Sequence, residues 1–302
     1  MVQIKPTKYV WMDGRFVMWK NAKLHVLTHA LFYGSAVFEG IHSYETERGT
    51  SIFRLDEHLD RLLYSAKSFG MKIKFSKSQL KNAVKKLAKI NKIVNAYIRP
   101  MAYYGYGDIG VYPKNAPTKI MIISVPWKKY FSKNLRVMVS KYIRHAEKSS
   151  VFGVKISGNY ANSILAMHEA RSKGYDEALM LDYKGYVSEG PAENLFFVKN
   201  SKLITPSSRS ALHGITRDTI LKLSKDMGIN ASEKQVTLNE VKNADELFYC
   251  GTMMELAPIV SLNGIKIGNG KIGKITSKIK NKFYDVVRGR DTKYKKWLTY
   301  VG

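Results

Sequence analysis

Apolar residues recur along this chain with two different periods, and the changes between them mark its elements. In FRLDEHLDRLLYSAKSFG, Leu55, Leu59, Leu62, Ala66 and Phe69 fall three or four apart, which predicts an amphipathic helix stopping at Gly70. SKSQLKNAVKKLAKIN repeats that spacing and predicts a second helix. Ahead of them, YVWMDGRFVMW reads as a hairpin turning at Asp13-Gly14. NAYIRPMAYY and TKIMIISVPW read as strands, so the first half runs strand, helix, helix, strands.

The second half opens with a strand in LRVMVSKY, followed by a helix from about Asn159 to Ser172. EALMLD and NLFFV are expected as strands around a YKGY turn. Next come the helix TRDTILKLSKDMG, the strand ELFYC, the strand PIVSLN turning at Asn263-Gly264, and a last basic helix. PWKKYFSKN, with its polar and breaker residues, is the expected linker. The division is a small α/β domain at 1–126, an interdomain loop at 127–134 and a larger domain at 135–302. Strands and helices mixed without strict βαβ alternation predict an α+β protein. No internal repeat or low-complexity tract interrupts this order.

Composition narrows the function classes. A chain of 302 residues can bury a sizeable core. The single cysteine, Cys250, excludes an internal disulfide and any multi-cysteine metal site. No apolar run reaches spanning length and the N-terminus lacks a signal-peptide hydrophobic region, so a cytoplasmic location without a membrane partner is expected. The formal charge of +26 opens a nucleic-acid-binding reading. Lysine, however, far outnumbers arginine and is scattered from Lys5 to Lys296 without one dominant block. That is the pattern of a lysine-rich proteome rather than of a specific nucleic-acid partner. The field still favours capture of small anions.

Two glycine runs imitate a dinucleotide fingerprint. GYGDIG follows a strand, but the prolines of VYPKNAP forbid the helix that must come next. GNGKIG precedes a helix with too little chain left for a βαβ unit. Both read as turns. His25 and His29 can share a helix face, yet no acidic third ligand accompanies them, so structural histidines and no metal are expected.

The chemistry centres on Lys155, in VKISGNY, and the downstream run SEGPAENLFF with Glu189 and Glu193. An exposed lysine is neutral in only about one copy in 2,500 at pH 7, roughly 4.6 kcal/mol against its acting as a nucleophile. Condensation with an aldehyde cofactor avoids that penalty. Pyridoxal phosphate asks for a lysine, a carboxylate for its ring nitrogen and an anion-binding nest for its phosphate. Glu189 can pair with the ring nitrogen. Gly214-Ile215-Thr216 opens a helix whose first amides suit a phosphate, although Thr216 also reads as a plain N-cap. Tyr97 and Arg99, two apart on a strand, point to one face. The guanidinium suits a carboxylate, although Arg99 taken alone reads as a surface ion-pair partner. CGTMMELAP places a nest or a tight turn directly after a strand.

Taken together, these motifs resemble the branched-chain amino acid aminotransferases among the fold-type-IV pyridoxal-phosphate enzymes. The resemblance runs from about Tyr9 to Lys282 through HALFYGSAVFEGI, FRLDEHLDRLLYSAK, AYIRP, VKISGNY, GYVSEGPAENLF, LHGITRD and CGTMMELAP, in order. It implies the two-domain fold-type-IV architecture, with 135–302 as a β-barrel-like cofactor domain. It implies that Lys155 forms the internal aldimine and shuttles the substrate proton. Glu189 would contact the ring nitrogen and Tyr160 the phenolic oxygen. Arg61, Ile215, Thr216 and Thr252 would hold the phosphate, with Leu212 under the ring. Tyr33, Phe38, Tyr97, Arg99, Tyr130 and the amides of Thr252 and Met253 would line the substrate site. Taken on its own helix, by contrast, Arg61 reads as solvated. In the family the segment around Gly107 to Val111 usually reaches a partner's active site, which implies a homodimer or higher oligomer.

The expected reaction is ping-pong transamination between leucine, isoleucine or valine and 2-oxoglutarate. Alternatives on the same fold are D-amino acid transamination and the aminodeoxychorismate lyase reaction. His42, Ala192 and the Met253-Met254 pair depart from the common family pattern and bear on substrate preference.

Overall fold

The computed structural model describes residues 4–127, 134–151, 153–207 and 209–302. The linker expected at 127–134 lies almost wholly outside them, as does Tyr130. The chain forms two compact units, one of residues 1–128, 154–158 and 285–302, the other of 129–153 and 159–284. The second domain expected from a linear division thus gives Val154–Gly158 and the C-terminal segment to the first unit.

In the first unit, β1 (Tyr9–Met12) and β2 (Arg15–Met18) form the expected hairpin. Both turn residues have positive φ, 44° at Asp13 and 94° at Gly14, as a tight two-residue hairpin requires. The short helix α1 (His29–Tyr33) precedes three strands that the apolar pattern does not announce: β3 (Ala36–Phe38), β4 (Ile41–Thr46) and β5 (Gly49–Phe53). β3 is buried at every position, and the buried faces of β4 and β5 include His42, Ser43 and Ser51, so no apolar–polar alternation survives. Helices α2 (Leu55–Ser68) and α3 (Lys77–Ile90) follow, then β6 (Ala96–Tyr104) and β7 (Thr118–Pro126). Leu55, Leu59, Leu62 and Ala66 are buried as their spacing predicts, in one core with Leu80, Val84 and Leu87 of α3 and Val37, Ile41, Ile98 and Ile122 of the sheet. Ser76 and Gln79 close a capping box at the start of α3.

The sheet runs from the C-terminal strand Leu298–Tyr300 through β5, β4, β6, β7 and β1 to β2, with β3 also paired to β6. β4 pairs with β6 up to Ile41–Ile98, and β3 resumes at Phe38–Met101. Glu39 and Gly40 sit in that break, opposite Arg99 and Pro100. Proline, which cannot donate to a ladder, is tolerated there.

The second unit contains β8 (Leu135–Val139), α4 (Tyr160–Ser172), β9 (Glu177–Leu181), β10 (Val187–Glu189), β11 (Asn194–Lys199), β12 (Lys202–Pro206), α5 (Ile215–Asp226), β13 (Ala231–Lys234), α6 (Leu238–Lys242), β14 (Glu246–Gly251), β15 (Glu255–Leu262) and β16 (Ile265–Lys266). The basic helix α7 (Lys274–Val287) completes it and continues into the first unit. The strand order is β10-β9-β8-β15-β14-β11-β12-β13, with β16 on β15. Parallel pairs (β8 with β9 and β15, β12 with β13) mix with antiparallel ones, which makes the α+β class concrete. The architecture includes a curled half-barrel sheet. One expectation changes. The YKGY turn joins β9 to β10, not to NLFFV, which as β11 pairs with β12 and β14.

Candidate active site

Within the first unit, Lys155 lies on a strap, Val154–Gly158, laid along β3. Phe38 N–H donates to Lys155 O at 3.1 Å, Ser157 N–H to Ala36 O at 2.8 Å, and Gly158 N–H to Gly34 O at 3.1 Å. Lys155 N–H in turn donates to Ser65 Oγ of α2 at 3.3 Å. The close approach needs Gly34, since a Cβ there would stand 2.6 Å from Gly158 Cα. The strap fixes the backbone of Lys155, and its Nζ lies 4.8 Å from the Phe38 ring centre.

The Arg99 guanidinium lies 4.8 Å from the centre of the same Phe38 ring and donates to Tyr97 Oη at 3.0 Å. Tyr97 and Arg99 therefore share a face, and Arg99 is not a surface ion-pair partner. Gly40 makes room for them, because a Cβ at that position would meet Tyr97 Oη at 2.1 Å. Tyr33, on α1, donates to Ile109 O at 2.8 Å, and His29 bonds both Ser35 Oγ (2.7 Å) and Gly110 O (2.9 Å). His29 is structural, as expected, while His25 precedes the helix rather than sharing a face of it.

Arg61 is not a solvated residue. Its side chain is 14% exposed, and it meets the fully buried Glu39 carboxylate through Nε at 2.6 Å and Nη2 at 2.8 Å. His58, one turn earlier on α2, also reaches Glu39, Nδ1 to Oε2 at 2.7 Å. Burial alone would raise the Glu39 carboxyl, but the charge of Arg61 and the hydrogen bonds from Arg61 and His58 outweigh it and hold it down at about 2. For His58, desolvation is the largest influence and lowers its pKa despite Glu39. The ring is consequently neutral, with Nδ1–H as the donor.

In the second unit the centre is Glu189, at the end of β10. Arg144 Nη2 pairs with its Oε1 at 2.9 Å, while Oε2 accepts from Asn194 Nδ2 at 3.1 Å and from Leu212 N–H at 3.0 Å. The Glu189 side chain is buried and that of Arg144 mostly so, and Arg144 is itself tied to Ser163 of α4, Nη1 to Oγ at 3.1 Å. Asn194 Nδ2 also reaches Leu212 O at 2.8 Å. Glu189 and the loop entering α5 are thereby tied through one side chain.

Helix α5 begins at Gly214, which is its N-cap without a side-chain cap bond. Thr216, read as a plain N-cap, is instead the second helical residue. The first-turn amides, those of Ile215 and Thr216 among them, have no carbonyl of their own helix to pair with. Asn194 stands opposite Cys250 in the β11–β14 ladder, so Thr252 and Met253 occupy the turn just beyond that level. Met254 is buried and Met253 exposed. Tyr160 opens α4 behind Asn159, whose Nδ2 donates to Ser150 Oγ at 2.8 Å.

Deeper in this unit, Glu177 is buried and carries a carboxyl raised to about 9, by burial first and then by the charge of Glu193. Glu193 Oε2 accepts from Ala192 N–H at 3.0 Å.

The sequence-derived residues therefore divide into two sets. Tyr33, Phe38, Arg61, Tyr97, Arg99 and Lys155 belong to the first unit. Tyr160, Glu189, Leu212, Ile215, Thr216, Thr252 and Met253 belong to the second. Tyr130 lies outside the described residues. Sequence reasoning passed over Glu39, His58, Arg144 and Asn194. Only His58 left a local trace, since its i,i+3 spacing from Arg61 puts both on one helical face. Among the described residues, no cluster of three or more His, Cys, Asp or Glu side chains is suited to a metal, and no helix is long and apolar enough to cross a membrane.

The mixed α+β fold is shared with solved fold-type-IV enzymes. The chain matches the family described as Amino-transferase class IV over residues 36–262, and it belongs to that family. It is 40% identical over 297 residues to the branched-chain-amino-acid aminotransferase of Pseudomonas aeruginosa, with 97% of each chain covered. Solved structures share the fold. A branched-chain amino acid aminotransferase from T.th., complexed with N-(5′-phosphopyridoxyl)-L-glutamate, is 39% identical with a TM-score of 0.96, covering 99% of this chain and 100% of that one. The branched-chain aminotransferase of Thermoproteus uzoniensis, solved with norvaline, is 37% identical with a TM-score of 0.94, covering 98% and 100%.

Proposed function

We propose that this aminotransferase uses pyridoxal 5′-phosphate to move the amino group of leucine, isoleucine or valine to 2-oxoglutarate in a ping-pong cycle. The observation that carries the reading is the environment of Glu189, an anion fixed by a guanidinium and two amide donors. Such a group suits a protonated ring nitrogen. The other donors fit the same cofactor. A helix N-terminus and Arg61 suit a phosphate, and Lys155 an aldehyde. Arg99 Nε and Ser157 Oγ are buried polar atoms without a hydrogen-bond partner among the described residues, as in a site built for a polar ligand.

When bound, the cofactor supplies an aldehyde for amine exchange and a ring that takes up electron density from the substrate Cα. Glu189 would accept the ring N–H and keep that proton in place. Arg144, Asn194 and Leu212 N–H keep Glu189 ionised and oriented. On the first unit Arg61 would hold the phosphate; on the second, the first-turn amides of α5 and Thr252 would do so, Leu212 would support the ring and Tyr160 would donate to the phenolic oxygen. Lys155 would hold the cofactor through its amine, and the same amine would accept and return the substrate Cα proton. Arg99 would bind the substrate carboxylate, a role the family resemblance also gives to the amides of Thr252 and Met253. Tyr33, Phe38 and Tyr97 would surround the aliphatic side chain.

The names of the relatives and the two bound ligands, a glutamate adduct and an aliphatic amino acid, support this substrate pair. A homodimer is supported by an apolar surface on the first unit around Phe32, Tyr106, Ile109, Val111 and Tyr112, three of them 75–81% exposed. Free amino and 2-oxo acids as substrates fit a cytoplasmic enzyme.

The test is a panel of L- and D-amino acids with 2-oxoglutarate as acceptor. L-Leucine, L-isoleucine and L-valine should be the fastest donors. Faster turnover of D-alanine than of L-leucine would replace the assignment with D-amino acid transamination.

A further inference from the structure

We propose that Glu39, braced by His58, is the positioning residue that aims Arg61 at the cofactor phosphate. This rests on the reading of Arg61 given above. Glu39 is 0% exposed and sits in the break between β3 and β4, where its N–H donates to Pro100 O at 2.9 Å. The backbone of the carboxylate is thus fixed by the sheet, independently of the helix carrying Arg61. Its two oxygens receive Arg61 Nε, Arg61 Nη2 and His58 Nδ1 at 2.6, 2.8 and 2.7 Å.

The side-on grip matters chemically. A guanidinium is planar, so two contacts along its Nε–Nη2 edge set the plane and direct the opposite corner away from Glu39. Without that brace, a long flexible side chain must lose rotamer freedom when it binds an anion. His58 completes the device. It lies three residues before Arg61 on the same face of α2 and donates as a neutral ring, so it steadies Glu39 without adding a competing charge.

A purely structural ion pair beneath α2 is the rival explanation. The two differ in what they do to ligands with and without a phosphate. In the full-length protein stripped of cofactor, Glu39→Gln should weaken pyridoxal phosphate binding about tenfold or more, the size seen when outer partners of metal ligands are removed. Binding of pyridoxal, which lacks the phosphate, should change far less, so the ratio of the two affinities falls. Equal weakening of both ligands would mean a structural role and overturn the proposal.

Arg61→Met separates this inference from the function it rests on. If that variant leaves the ratio unchanged, Arg61 does not grip the phosphate and its assignment fails. If it lowers the ratio while Glu39→Gln does not, only the positioning role fails. Should Glu39→Gln not fold, His58→Ala removes one contact and leaves the Arg61 pair in place. It should lower the ratio in the same direction, with His58→Gln restoring part of it through its amide donor. An unchanged ratio in His58→Ala then counts against the proposal.

Discussion

Asn194 and Gly214 compete for one volume: a Cβ on Gly214 would stand 2.0 Å from Asn194 Oδ1. The side chain that holds the Glu189 carboxylate therefore also favours glycine at the N-cap of α5. Gly214→Ala must displace either Asn194 or the start of the helix. Overpacking of this kind costs about 1–3 kcal/mol. The expected outcome is a lower Tm together with weaker pyridoxal phosphate binding. Unchanged cofactor affinity in a destabilised variant would uncouple Asn194 from the site.

Lys155 should be the residue to which borohydride fixes the cofactor. In the wild type, reduction followed by peptide mapping should place the label within VKISGNY, and Lys155→Ala should carry none. A label on any other lysine would sink the assignment of Lys155.

Arg144→Met leaves Glu189 as a buried anion without its cationic partner. Breaking one side of a buried ion pair costs about 3–5 kcal/mol, whereas removing both partners costs much less. Denaturant unfolding should show a large loss for Arg144→Met and a smaller one for Arg144→Met combined with Glu189→Gln. Additive losses would mean that the two residues do not depend on each other.

Glu177 makes stability fall with rising pH. Its carboxyl is raised from 4.5 to about 9, so between those values the folded protein keeps a proton that the unfolded chain has released. A group of this kind favours the folded state at the acidic end of the window and disfavours it progressively towards the alkaline end. From about pH 5 to about pH 8 the slope amounts to roughly 4 kcal/mol for an isolated group. Glu177→Gln cannot ionise and should flatten the curve, gaining most at alkaline pH. Parallel pH curves for the two proteins would show that Glu177 ionises normally.

Ile109→Asp should weaken self-association. Burying one large aliphatic side chain contributes about 2 kcal/mol, roughly a thirtyfold change in dissociation constant. Sedimentation over a concentration series reads this directly. An oligomer equally tight in the variant would move the interface elsewhere.

The local pattern was enough for α2, α3, α5 and the Asp13-Gly14 hairpin, because their information lies within a few residues. An apolar stripe, a cap or a pair of positive-φ residues is read from neighbours alone. It was not enough for β3, buried at every position, nor for β4 and β5, whose buried faces mix serine and histidine with apolar residues and so erase the two-residue period. Nor did it separate β10 from β11, since a three-residue strand is too short to show a period.

The candidate site divides in the same way. The sequence by itself determined which blocks are present and in what order, and with them singled out Lys155, Glu189 and the start of α5 as candidates. Only the tertiary structure decided what surrounds them. Arg61 is drawn inward by Glu39, the Val154–Gly158 strap is pinned along β3 through Phe38 and Ala36, and Glu189 takes its charge partner from Arg144. Each of these contacts joins residues far apart in the chain. Its energy comes from burial and from paired polar groups, neither of which leaves a periodic trace in sequence.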